Sequence, residues 1–340
     1  MIRANLVAPK QFVIEEVPIP EPAANEVLIR VKNCGICGSD VHAYHGRHPF
    51  ISCPIVLGHE FSGVIEGLGP GAEAYGLSRG QRVTVEPNLV CGKCYNCRIG
   101  RYNICDELKV IGCQSTGAYA EYLIVPAAKV VPLADSVSFE HGAMIEPLAV
   151  GVRAYRRAGV GPGDRILIIG AGTIGLMTLM AAKAQGAQVM ISDLVPFRLD
   201  VAKKLGADAV VNSGEENLAE AIRRFAPYGM DAIIECVGAA ATIRQAVELA
   251  RKGSRIVIVG VASGDVPVPM SLVQDRELEI VGDLMYTREE FDLAQRLVVE
   301  GKTNFPLVLS KTFALTEVAE AFRYIQANEK TTLKVMLNIG

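Results

Sequence analysis

The chain lacks any surplus of positive charge: 34 Lys and Arg stand against 37 Asp and Glu, a formal net of -3 over 340 residues. Nucleic acid and anionic membranes are recognised by a basic face, so neither is expected as the main partner. Long apolar runs are missing as well. The longest, such as residues 166–169 and 256–261, fall far short of the roughly 20 residues that span a bilayer. No charged-then-apolar signal pattern opens the chain, and it contains no internal repeat and no low-complexity tract. What is there is a sequence half hydrophobic, enough to bury a sizeable core. Its length exceeds what one core usually spans, so two domains are expected. Nine cysteines without a secretion signal suggest a reducing compartment, where close thiol clusters bind metal more often than they pair. The cytoplasm is the expected location.

Residues 1–150 hold short β-like runs broken by Pro and Gly, at 27–32, 61–67, 82–85 and 119–125. Such runs predict a barrel or sandwich. The pattern changes near Ala149. Strands are then predicted at 166–169, 189–191, 232–235 and 255–259, alternating with helices at 174–185, 198–204 and 241–250. Continuous apolar strands between helices predict a parallel sheet covered on both faces. After Gly282 two helical stretches, 288–300 and 317–328, precede a closing strand at 333–337. That tail is expected to pack back on the first domain, which gives one domain of residues 1–148 with 285–340 and another of 149–284.

Within the second domain, Gly170, Gly172 and Gly175 form G-x-G-x-x-G, with Thr173 and Ile174 between the last two. Alone the motif is weak. Here it follows an apolar strand and opens a helix, the context it needs. Gly170 permits a tight turn, Gly172 lets backbone approach a pyrophosphate, and Gly175 allows close helix–strand packing. The pyrophosphate would sit on the helix N-terminus. Asp193 ends the next strand and can accept both ribose hydroxyls while repelling a 2′-phosphate, which favours NAD over NADP. Arg198 is a nearby cation that tolerates phosphate or flanks the adenine.

Cys91, Cys94, Cys97 and Cys105 follow C-x2-C-x2-C-x7-C. Four thiolates on one loop fit a closed, structural, tetrahedral zinc site. A nucleic-acid-binding zinc ribbon and an iron–sulfur site share the spacing. Cys37, His59 and Glu60 supply three ligands for a second zinc whose fourth position stays open. Glu146 is a candidate fourth or exchanging ligand, and Asp40 a partner for the other ring nitrogen of His59. Cys34-x-x-Cys37 also reads as a redox pair, but no thioredoxin-like βαβ pattern surrounds it. Cys34, Cys53, Cys113 and Cys236 read as ordinary buried thiols.

These residues resemble the zinc-containing medium-chain alcohol dehydrogenase family over essentially the whole chain. The markers are Gly58-His59-Glu60 followed by Gly63 and Gly69, the four-Cys loop, and Gly170–Gly175 with Asp193. Cys37-Gly-Ser-Asp-Val-His42 and Ile145-Glu-Pro-Leu148 are most similar to the polyol branch, which includes sorbitol, threonine and sugar-acid dehydrogenases. The resemblance implies an α/β fold: a GroES-like β-barrel catalytic domain plus a Rossmann doubly wound parallel sheet. It implies two zinc ions per subunit, one catalytic on Cys37, His59 and Glu60 with Glu146 near or on it, and one structural. NAD is the implied cofactor, and a homo-oligomer, tetramer or dimer, the implied assembly. Hydride would pass between a secondary alcohol and the nicotinamide. Ser39 would take the alcohol proton, and His42, whose ordinary pKa lies near neutrality, would pass it on; otherwise His42 is a surface histidine. Tyr44, Arg47 and Tyr286 are candidates for lining the substrate pocket. Met285 stands where sorbitol dehydrogenase has an arginine, which argues against sorbitol itself. Threonine 3-dehydrogenase is the same-class alternative, and a zinc-binding paralogue without catalysis the different-class one.

Overall fold

The apolar strands of the middle of the chain cannot bury both faces unless they pair with one another and are covered by helices. In the computed structural model, which describes Met1–Gly340, they do so. The sheet runs Ala209–Asn212, Gln188–Asp193, Arg165–Ile169, Ala232–Glu235, Arg255–Ile258, Glu279–Gly282, with every neighbouring pair parallel. Numbered by sequence this order is 3-2-1-4-5-6, the doubly wound arrangement whose direction reverses between the first and fourth strands. Gly170 follows the first of these, so the glycine turn lies at the reversal. Ile166, Leu167, Ile168, Ile233 and Ile234 are fully buried.

The chain divides into two units, Met1–Glu146 with Leu309–Gly340, and Pro147–Val308. The first boundary falls near the one expected at 148. The expected return at 285 is corrected: the helix Arg288–Val299 belongs to the second unit. Its buried stripe of Phe291, Ala294, Leu297 and Val298 needs a partner, and Glu290 takes ion pairs from Arg153 and Arg156 of the same unit.

In the first unit the sheet path is Leu309–Ala314, Lys334–Asn338, Glu26–Ile36, Glu60–Leu68, Arg82–Val85, Val130–Pro132, with Tyr122–Pro126 also paired to Glu26–Ile36. The closing strand Lys334–Asn338 runs antiparallel to Glu26–Ile36, pairing Val335 with Ile36. On its other side Glu26–Ile36 meets Glu60–Leu68, pairing Gly35 with Glu60. Val27, Ile29, Val31, Phe61, Ile65 and Leu337 point into one apolar core. No helix is long and apolar enough to cross a membrane.

Candidate metal centre and dinucleotide cradle

The four-Cys loop closes on itself. Cys105 Sγ lies 3.5 Å from Cys91 Sγ and 3.9 Å from Cys94 Sγ, and Cys91 Sγ lies 4.0 Å from Cys97 Sγ. A tetrahedron with zinc–sulfur bonds of about 2.3 Å has edges of about 3.8 Å, so one ion fits and a multi-iron cluster does not. The thiols are too far apart for disulfides, which need about 2.05 Å. Backbone N–H groups of Cys91, Cys94, Cys97 and Glu107 donate to the sulfurs, as thiolates require. Gly92 and Gly100 take positive φ and let the loop turn.

The second donor set comes from two pieces of chain. Cys37 caps the helix Gly38–Tyr44, where Asp40 accepts the Cys37 N–H at 2.9 Å. His59 and Glu60 sit where the chain enters the strand Glu60–Leu68. Ligand atoms of Cys37, His59 and Glu60 all lie within 4.8 Å of one another. Thiolate, imidazole and carboxylate are a zinc set with a position to spare. Glu146, buried at the head of Ile145–Ala158, does not join that converging set.

His59 Nδ1 lies 3.8 Å from Asp40 Oδ1 and 3.9 Å from Cys113 Sγ. Burial works to lower the His59 pKa, but the Asp40 carboxylate with the thiols of Cys113 and Cys37 outweighs it, and the imidazole is pushed well up. Burial raises Asp40 itself, against the charge of His59 and the Cys37 N–H. Tyr119 donates its hydroxyl to Asp40 at 3.0 Å. The 3.8 Å separation is an ion-pair distance and Asp40 Oδ1 has no hydrogen-bond partner; a carboxylate on this side of the ring favours the proton on Nδ1, with Nε2 as the lone-pair donor.

Glu60 is clamped from behind. Lys334 Nζ donates to both carboxylate oxygens at 2.7 Å and to the Ile36 carbonyl at 3.1 Å, and both side chains are buried. Burial would depress the Lys334 ammonium, yet the Glu60 charge holds it above the usual lysine range. Directly opposite, Gly35 gives Glu60 its room: a Cβ at Gly35 would meet Glu60 Oε2 at 2.1 Å.

Ser39 and His42 occupy the same short helix three residues apart, hence on one face. Ser39 Oγ is buried without a hydrogen-bond partner, and His42 is exposed. Both tyrosines expected at the pocket are buried. Tyr44 is core, stacked on Phe12 at 5.6 Å and against Phe322 at 4.8 Å. Tyr286 is fully buried beside Phe291 in the second unit. Arg47 is exposed. Cys34 cannot act as half of a redox pair with a reactive thiolate: burial pushes its thiol well up, and it donates to the Gly35 carbonyl. Cys113, read as an ordinary thiol, instead stands beside His59. Lys334 and Gly35 were not singled out from sequence. The one signal for Lys334 was a charged residue opening an otherwise apolar strand.

In the second unit Gly170 has φ of 98°, and a Cβ there would meet Val237 Cγ2 at 2.6 Å. A Cβ on Gly175 would meet the Gly170 carbonyl at 1.9 Å, so the helix Thr173–Ala184 needs a glycine to approach the strand. Gly172, the N-cap, faces open space. That bare surface before a helix N-terminus suits a pyrophosphate. Asp193 Oδ2 accepts the Ala171 N–H at 2.7 Å and Oδ1 the Val195 N–H at 2.9 Å, so it braces the glycine turn. Arg198 lies 3.9 Å from Asp193, and Ile174 offers its carbonyl to Thr178. The residues present therefore fit both a zinc pair and a dinucleotide.

A barrel-type unit bearing two metal donor sets, joined to a doubly wound unit bearing a glycine cradle, defines a metal-assisted dinucleotide oxidoreductase. Residues 23–135 match the alcohol dehydrogenase GroES-like domain and residues 173–300 the zinc-binding dehydrogenase domain. The chain is 36% identical over 327 residues to L-galactonate-5-dehydrogenase of Escherichia coli (strain K12), covering 96% of this chain and 95% of that protein. It superposes with a TM-score of 0.93 and 32% identity on an alcohol dehydrogenase from E. coli CFT073 solved with NADH, covering 100% of this chain and 99% of that one. A zinc-binding dehydrogenase from Sinorhizobium meliloti 1021, solved with NADP, gives 0.91 and 31% over 99% and 98% of the two chains. The chain belongs to the zinc-containing medium-chain alcohol dehydrogenase family, in its polyol branch.

Proposed function

We propose that this protein transfers hydride between a secondary alcohol of a polyol, sugar or sugar acid and NAD, with zinc held by Cys37, His59 and Glu60. The observation that carries this is the converging thiolate–imidazole–carboxylate set on the same unit as an unpartnered, buried Ser39 hydroxyl. Zinc held there supplies a Lewis acid that stabilises negative charge on an alcohol oxygen. Ser39 relays the hydroxyl proton, taking it up as it passes its own toward His42. His42, one turn along and open to solvent, releases it. Asp40 fixes the His59 ring, and Glu146 serves as a nearby exchanging carboxylate. Thr173, Ile174 and the three glycines cradle the pyrophosphate, Asp193 takes the ribose hydroxyls, and Arg198 flanks the adenine. Asp193 disfavours the 2′-phosphate, so NAD is preferred here whatever the S. meliloti relative carries.

The likeness to L-galactonate-5-dehydrogenase supports a sugar-acid substrate. A screen of sugar alcohols, aldonates and L-threonine, read as NADH absorbance with and without chelator, tests the reading. Turnover of an aldonate or polyol that chelator abolishes is expected. Turnover of L-threonine alone would replace the substrate class, and none on any secondary alcohol would overturn the enzymatic reading. We place the protein in the cytoplasm, on its nine unpaired thiols. We also propose a homo-oligomer, since the edge strand Glu279–Gly282 and Leu284 beyond it expose apolar surface.

A further inference from the structure

We propose that Lys334 is a positioning residue that governs how Glu60 engages the metal, disfavouring bidentate coordination and keeping a coordination position free. The proposal rests on the zinc reading above and deepens it. Three observations meet at one carboxylate. Both Glu60 oxygens lie 2.7 Å from Lys334 Nζ, and the third ammonium proton goes to the Ile36 carbonyl, so the lysine is satisfied and has nowhere else to turn. One Glu60 oxygen also lies within 4.8 Å of the Cys37 and His59 donor atoms. Gly35 leaves Oε2 the room to be there at all.

A carboxylate has two oxygens. With Lys334 drawing on both, each oxygen keeps one lone pair for the ion, and bidentate coordination would weaken both ammonium bonds where coordination through one oxygen weakens only one. A buried ammonium stripped of its partner is costly. Lys334 therefore disfavours bidentate coordination by Glu60 and would hold the carboxylate in place when it is not on the ion. The charge count agrees. Lys334 supplies one positive charge among the buried carboxylates Glu60, Asp40 and Glu146, and that charge repels the ion. Glu146 also acts on Lys334 electrostatically. The strand pairing of Val335 with Ile36 delivers Lys334 to this spot from the far end of the chain.

The test compares Lys334→Met, Lys334→Arg and the wild type for zinc release to a chromogenic chelator, and for melting temperature with and without zinc. With Met, Glu60 is free to chelate and the repelling charge is gone. Zinc release is expected to slow about tenfold, the low end of effects seen when a ligand's partner is altered. The gain in melting temperature on adding zinc is expected to widen, because zinc alone then neutralises the buried carboxylate. Arg is expected to restore both. Equal losses of stability with and without zinc, at unchanged release rate, would mean that Lys334 merely supports the fold, and would overturn the proposal. If Lys334→Met does not fold, Glu60→Gln is compared with Glu60→Gln/Lys334→Met. The second change should then alter release by less than twofold, and a larger change means that Lys334 does not act through Glu60. Zinc found only in the thiolate loop of the wild type would sink the zinc reading itself, a result distinct from either outcome at Lys334.

Discussion

Asp40 offers a sharp test of how the open metal site is built. Its Oδ2 accepts the Cys37 N–H at 2.9 Å and the Tyr119 hydroxyl at 3.0 Å, while Oδ1 faces His59 Nδ1 at 3.8 Å. Asp40→Asn is nearly isosteric. Its amide oxygen still accepts from Cys37 and Tyr119, so the helix cap and the core around Tyr119 survive. Its amide nitrogen now faces Nδ1 as a donor, which favours the tautomer with the proton on Nε2, where the ion needs a lone pair. Loss of a carboxylate behind a histidine ligand costs about 10–100-fold in metal affinity, or about 1.4–2.7 kcal/mol. Asp40→Ala is worse, because two buried donors lose their acceptor at about 1–3 kcal/mol each, and the fold suffers with the site. Chelator competition measures this directly, with the thiolate cage of the same molecule as internal reference. Zinc should leave the open site of Asp40→Asn at least tenfold more easily, and the cage should be unchanged. Open-site affinity within twofold of wild type would refute the role given to Asp40.

Gly172→Ala should fold normally, since a Cβ there meets no protein atom within 4 Å, yet lose at least tenfold in NADH affinity by fluorescence titration; unchanged binding would mean that no pyrophosphate lies against Gly172. Cys97→Ser should hold one zinc fewer per chain and leave the loop 91–105 open to protease, because closed zinc sites supply local folding energy. Asp283 gives a pH prediction. Burial pushes its carboxyl up to about 7 against Arg153 and Arg157, from an ordinary 3.8. The folded state then holds the proton that the unfolded chain releases, so this group's effect makes stability fall as pH rises from about 4 to about 7. Asp283→Asn should therefore gain on the wild type by up to about 4 kcal/mol at pH 8, from about three pKa units at about 1.36 kcal/mol each. The gain is reduced by the lost pairing with Arg153 and should vanish near pH 4. Thermal melts at the two pH values check it, and an equal effect at both contradicts it.

Much of this architecture is legible in the chain because its signals are local. The Ile166–Ile169 run, the glycine turn and the helix behind it need only neighbours a few residues away, and the four-Cys loop encloses its own ion. The weaker strands Ala209–Asn212 and Glu279–Gly282 were not foreseen. Each is a short edge element with partly exposed residues, and its pairing with the sheet outweighs a poor local pattern. The helix Leu218–Phe225, capped by Asn217 through the Ala219 and Glu220 N–H groups, is too brief for periodicity to stand out. The burial of the Tyr44 and Tyr286 rings comes from packing against Phe12, Phe322 and Phe291, which no local pattern shows. Lys334 lies 274 residues from Glu60. Only strand pairing brings them together, and a single charged residue does not reveal its partner.

The central claim is a second zinc site, separate from the thiolate cage and built on Cys37, His59 and Glu60. Metal analysis of the purified wild type beside His59→Ala tests it most directly. The account predicts two zinc ions per chain in the wild type and one in the variant, with NAD-linked turnover lost alongside the missing ion. Equal metal content in the two proteins, confined to the four-Cys loop, would contradict it.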